Sequence, residues 1–81
     1  MDDRLRHLAV SEEGFIFDPL TGNSFTTNKT GLFILSKLRE GRVGEEILAE
    51  MREKFEASEE ELEKDFTDFM EQLRFYGLMG N

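Results

Sequence analysis

Residues 14–31 read GFIFDPLTGNSFTTNKTG, and the division of this stretch decides the fold. Gly14 to Asp18 is a short run of aromatics around the β-branched Ile16, which suits a strand. Pro19 to Asn23 carries turn chemistry: Pro19 presets φ and Gly22 supplies a left-handed residue. Ser24 to Thr27 is a second short β-type run. Asn28 is then a good N-cap for a helix. The stretch therefore predicts a hairpin that feeds directly into a helix.

Working back from it, Ser11 to Gly14 reads as a turn, with Gly14 free to take positive φ. Leu5 to Val10 before it reads as a further strand, with Leu8 and Val10 on one side and Leu5 and Ala9 on the other. Two hairpins in series make a three-strand meander.

Working forward, Leu32, Phe33, Ile34, Leu35 and Leu38 predict a mostly buried helix. Lys37 and Arg39 suit the dipole of its last turn, and Gly41 is a natural stop. Val43, Ile47, Leu48, Met51 and Phe55 recur at helical spacing and predict a second helix. Ser58 opens a third, and Glu61 completes an S-x-x-E capping box. Its apolar stripe is Leu62, Phe66, Phe69, Leu73 and Tyr76, with Gly77 as the stop and Leu78-Met79 folding back on the core. Glu50–Lys54 and Glu60–Lys64 have the i,i+4 spacing of helix-supporting pairs.

The expected fold class is α+β: a three-stranded antiparallel sheet followed by three helices, β-β-β-α-α-α, winged-helix-like. The helices cover the apolar face of the sheet, and at least one sheet edge stays open unless a loop or helix covers it. With 81 residues and no internal repeat or linker, the expectation is a single domain over 1–81. A chain of this size buries only about 60–65% of its unfolded surface, so the core is thin. No cysteine is present to staple it.

Composition narrows the function. The chain is 35% charged but 38% hydrophobic, and Phe supplies 8 of its aromatics, which marks a folded domain. The net charge is −8, which disfavours a phosphate-lined partner. Residues 1–43 are balanced, and the whole negative excess falls in residues 44–81. No apolar run approaches the ~20 residues that span a bilayer, and Met1-Asp2-Asp3-Arg4 does not open a signal peptide. A cytoplasmic protein that meets neither membrane nor nucleic acid is expected.

Catalytic chemistry is thinly represented. The one histidine, His7, falls on the expected first strand, and no cysteine nucleophile exists. Asp65 and Asp68, and Glu60, Glu61 and Glu63, lie on the third helix as a solvated face and dipole partners rather than a metal set. No phosphate-binding glycine loop is present. Asn28-Lys29-Thr30 matches a glycosylation sequon but reads better as a helix cap. No enzyme activity, metal or cofactor is expected. A helix–turn–helix reader is disfavoured because the second and third helices carry mostly Glu.

The ordered features resemble the PqqD family, the peptide-binding domains of ribosomal peptide modification systems, also called precursor-peptide recognition elements. The resemblance rests on the Asp18-Pro19-Leu20-Thr21-Gly22 turn, the Asn28-Lys29-Thr30-Gly31 helix start, and the apolar helix of Leu32, Ile34, Leu35 and Leu38. It continues through Glu45-Glu46-Ile47 to the final Phe69, Leu73, Gly77, Leu78 and Met79. It covers Gly14 through Leu78. Thr27 departs from the large aliphatic residue usual before the helix-start Asn. The Phe15, Phe17 and Phe25 hairpin and the short N-terminal strand look like the subgroup encoded beside HPr-kinase-like and HPr-related peptide genes, rather than the pyrroloquinoline quinone pathway's own chaperone.

The resemblance implies a non-catalytic chaperone that captures a precursor's leader segment as an added strand and presents it to a modifying enzyme. That enzyme would be a radical-type maturase or an HPr-kinase-like protein. On this reading the edge-strand residues are Ser24, Phe25, Thr26 and Thr27, and the groove residues of the third helix are Phe66, Thr67, Met70 and Arg74. Two other classes stay open. One is an acidic adaptor that docks a basic enzyme without a peptide site, testable by charge reversal at Glu46, Glu50 or Glu53. The other is a winged-helix DNA binder, which a salt-dependent duplex shift would reveal.

Overall fold

Asp18 is the most deeply buried polar residue described, at 1% exposure, and it organises the second hairpin. A computed structural model describes residues 3–79. In it the Asp18 carboxylate accepts hydrogen bonds from the Leu20 amide at 3.0 Å and the Thr21 hydroxyl at 3.0 Å. The Asp18 amide donates to the Asn23 carbonyl at 2.8 Å, which closes the turn. Arg4 reaches the same carboxylate at 3.4 Å and donates to the Gly77 carbonyl at 2.6 Å, so the two ends of the fold meet at this turn.

The strands are β1 (Ala9–Val10), β2 (Phe15–Phe17) and β3 (Ser24–Thr26), antiparallel in the order β1-β2-β3. Ala9 faces Phe17 and Val10 faces Ile16; on the other side Phe15 faces Thr26, Ile16 faces Phe25 and Phe17 faces Ser24. The meander expected from the two turns is present. Gly14 sits at φ +101° with the Thr27 carbonyl against the position a Cβ would take, so no other residue fits there without strain.

The N-terminal segment differs from expectation. Only Ala9–Val10 is strand; Asp3–His7 forms a short 3-10 helix. Three residues per turn align Leu5 with Leu8, and both are buried at 4% exposure. A strand would have sent them to opposite faces. His7 therefore lies on this 3-10 helix, exposed, and not on a strand.

The helices are α1 (Lys29–Arg39), α2 (Gly44–Lys54) and α3 (Glu59–Phe75). Asn28 caps α1 by accepting from the Gly31 amide at 2.9 Å. Ser58 and Glu61 form the expected capping box on α3, with both reciprocal bonds at 3.1 Å. Val43 is the N-cap of α2 and is exposed rather than part of its apolar stripe; Ile47 and Met51 carry that stripe. Leu78 folds back after Gly77 and is fully buried. The core draws on every element except β1, whose two residues are exposed, from Leu5 and Ile16 through Ile34 and Ile47 to Phe69.

Neither expected i,i+4 pair forms, because their members take other partners. Glu50 meets Lys37 at 3.2 Å and Arg42 at 2.6 Å, tying α2 to the end of α1. Lys64 pairs with Asp68 at 2.8 Å instead of with Glu60. Arg52 grips Glu59 through two bonds of 2.6 and 2.7 Å, joining α2 to α3.

Asp18 predicts an acid limb of stability. Burial pushes its carboxyl up, but the Leu20 amide, the Thr21 hydroxyl and the Arg4 guanidinium together hold it below its ordinary value of 3.8. A group that binds its proton less tightly folded than unfolded adds its full stability above the unfolded value and loses it as pH falls toward the folded one. Thermal melts of the wild type should therefore drop as pH falls below about 3.8, and this part of the drop should be missing in Asp18→Asn. Equal acid slopes in the two proteins would contradict it.

Candidate functional site

A sheet of three strands has two edges, and they are not equivalent here. Val10 of β1 lies in a hollow with Leu32, Leu35, Ser36 and Arg39, so α1 flanks that edge. β3 is the other edge, and its hydrogen-bonding groups can be assigned by phase. The Thr27 amide donates to the Gly14 carbonyl and the Asp18 amide donates to the Asn23 carbonyl, both at 2.8 Å. Antiparallel ladders alternate bonded and non-bonded pairs, so Phe25 bonds to Ile16 while Ser24 and Thr26 do not bond to β2. The N–H and C=O of Ser24 and of Thr26 thus point away from the sheet. The Ser11 amide donating to the Phe15 carbonyl at 2.9 Å fits the same phase, because it turns the Phe15 backbone toward β1.

Side chains follow the complementary alternation. Ser24 and Thr26 are exposed. Phe25 is buried at 7% and stacks on Tyr76 with ring centroids 4.4 Å apart. Thr27 turns inward against Gly31, where a larger residue would collide.

Beside this edge runs a groove whose far wall is α3. One part, about 400 Å³, is lined by Phe15, Ser24, Phe25, Thr26, Gln72 and Tyr76. A second part, about 210 Å³, is lined by Thr27, Asn28, Asp65, Asp68, Phe69 and Gln72. Gln72 stands between them and donates from Nε2 to the Thr26 carbonyl at 3.2 Å. One outward group of the edge is therefore already capped by a side-chain amide.

The four edge residues expected from the sequence come together, with Ser24 and Thr26 presenting backbone and Phe25 and Thr27 forming the floor. The four helix residues do not join them. Phe66, Thr67, Met70 and Arg74 lie roughly 120–160° around α3 from Gln72 and line neither part of the groove. Phe66 instead packs against α2, where a Cβ added at Gly44 would lie 3.2 Å from its ring. Met70 packs against the core, and Thr67 and Arg74 face solvent. Sequence reasoning missed Asp65, Gln72 and Tyr76. They follow one flank of the stripe of Leu62, Phe69 and Leu73, and the stripe itself does not say which flank meets the sheet.

Among the described residues no group of three or more His, Asp or Glu could hold a metal ion, and no helix is long and apolar enough to cross a membrane. No curated protein and no solved structure matches the chain. The family model of PqqD, described as coenzyme PQQ synthesis protein D, matches residues 13–79, which is most of the chain and both walls of the groove; the chain belongs to the PqqD family.

Proposed function

We propose that this single domain is a non-catalytic chaperone that captures a ribosomally made precursor peptide as an added strand on β3 and presents it to a modifying enzyme. The PqqD family comprises precursor-peptide-binding partners of modifying enzymes, which supports the general role. The observation that carries the finer reading is the phase of β3: Ser24 and Thr26 each offer an N–H and a C=O outward, beside a groove walled by α3. Main-chain bonds along such an edge supply affinity, and the groove supplies side-chain selection. The edge is short and polar at Ser24 and Thr26, which limits unwanted strand pairing between copies. Gln72 adds to this by covering the Thr26 carbonyl until a peptide N–H displaces it.

The modifying enzyme is proposed to be a radical-type maturase or an HPr-kinase-like protein, and the setting to be cytoplasmic. The acidic surfaces of α2 and α3 suit a basic docking face on that enzyme. Titration with the precursor peptide encoded beside the gene should saturate at roughly micromolar concentration, about −8 kcal/mol. A flat titration well above that range would contradict capture. A complex with the enzyme that Glu53→Lys abolishes, with no peptide binding at all, would favour the adaptor role. Glu50 is unsuited to that test because it holds Lys37 and Arg42.

A further inference from the structure

The groove changes chemistry along its length, and the pleat of β3 dictates which peptide positions read it. Phe25 and Thr27 face into the molecule, and Ser24 and Thr26 face out. A strand added along β3 shares this pleat. Its residues opposite Thr27 and Phe25 therefore turn their side chains toward α3. The residue between them, opposite Thr26, turns toward the outer face of the sheet beside Phe15.

The α3 wall facing those two positions is not uniform. Next to Thr27 and Asn28 it presents Asp65 and Asp68. Next to Phe25 it presents Tyr76, and the adjoining Phe75 is 82% exposed and in edge contact with Tyr76 at 5.1 Å. Asp65 takes a hydrogen bond from the Thr30 hydroxyl at 3.3 Å but makes no ion pair among the described residues. Lys29 lines a hollow with the same carboxylate without pairing to it. Asp68 holds Lys64 on the open surface, where both side chains are more than half exposed, so an incoming cation can exchange with it.

β3 runs from the aromatic end of the groove to the acidic end, so an antiparallel strand meets the acidic end first. Resting on the reading of β3 as a peptide site, we infer that the groove selects an extended peptide with a Lys or Arg side chain two residues before an aromatic or large aliphatic one. The cation docks on Asp65 and Asp68, the apolar side chain covers Tyr76 against Phe75, and the intervening residue is unselected by α3. The spacing of two follows from the pleat, and the order of the two follows from strand direction. The net charge of −8 draws such a peptide in, so its association slows with added salt.

Fluorescence anisotropy with labelled synthetic nonapeptides tests this directly. One carries Arg-Thr-Phe at its centre, one Phe-Thr-Arg, and one Gln-Thr-Phe, in the same Ser/Thr/Val background. The first should bind roughly three- to tenfold more tightly than the other two, the range of a partly exposed charge-assisted contact. The double variant Asp65→Asn, Asp68→Asn should lose that preference and still bind Gln-Thr-Phe as the wild type does. Equal binding of Arg-Thr-Phe and Phe-Thr-Arg would overturn the proposed order. A preference that survives in the double variant would overturn the role of the two carboxylates. If the natural precursor binds and none of the three peptides does, the pattern is wrong while capture stands. If nothing binds, capture fails with it.

Discussion

Phe69→Ala should cost about 3–5 kcal/mol, the usual range for truncating a buried Phe. Phe69 is 3% exposed near the middle of α3, and its ring lies within 3.0 Å of where a Gly31 Cβ would stand. It thus fills the space between α1 and α3 and lines the second part of the groove. A folded chain of 81 residues has only roughly 4–12 kcal/mol of stability in total. The loss should lower Tm by at least ~12 °C and leave much of the variant unfolded near physiological temperature. Phe69→Leu keeps most of the volume and should cost well under half as much. A thermal melt of Phe69→Ala within a few degrees of the wild type would mean that the packing of α3 on α1 is wrongly assigned.

Thr26→Pro should separate binding from folding. The Thr26 N–H points away from β2, so removing it breaks no ladder bond, and an edge position tolerates Pro. Phe25 before it is already extended, as a residue preceding Pro must be. Stability should change by no more than ~1 kcal/mol. An added strand, however, loses a donor and meets the pyrrolidine ring where its own carbonyl should sit. Peptide affinity should fall by about tenfold or more, the lost bond adding to the steric obstruction. Thr27→Pro is the mirrored control. Its N–H donates to Gly14 at 2.8 Å, so this variant should lose stability rather than show a selective binding defect. Unchanged peptide affinity in Thr26→Pro would place docking on a different edge.

The parts of this fold that local chemistry specifies were legible in the sequence. Asp18 to Gly22 could only be a turn, Asn28 and Ser58 could only be read well as caps, and Gly77 ends α3 where its apolar stripe stops. Those signals act within a few residues, so no tertiary knowledge is needed to read them. Leu5 to His7 were misread as strand because Leu5 and Leu8 fit two periods in so short a run, and only the position of the core shows that both must face inward. The partners of Glu50 were misread for a related reason: Lys54 is near in sequence, but Lys37 and Arg42 are near in space.

The candidate site was half legible. Ser24 to Thr27 followed from the family resemblance, since the order of elements alone leaves both outer strands of the meander without a further strand. The helix wall did not follow. A stripe of Leu62, Phe69 and Leu73 has two flanks, one carrying Asp65, Gln72 and Tyr76 and the other Phe66 and Met70. The flank that meets β3 is set by how α3 crosses α1 and α2, which depends on the long-range packing of Phe66 over Gly44 and of Tyr76 on Phe25.

Amide chemical-shift mapping of labelled protein during addition of the precursor peptide tests capture on β3 most directly. The predicted result is a contiguous set of shifts at Ser24 to Thr27 and along Asp65, Asp68, Gln72 and Tyr76, with the Gln72 side-chain amide moving as its bond to Thr26 is displaced. Shifts confined to Phe66, Thr67, Met70 and Arg74, or to the acidic face of α2, with Ser24 to Thr27 unmoved, would contradict it.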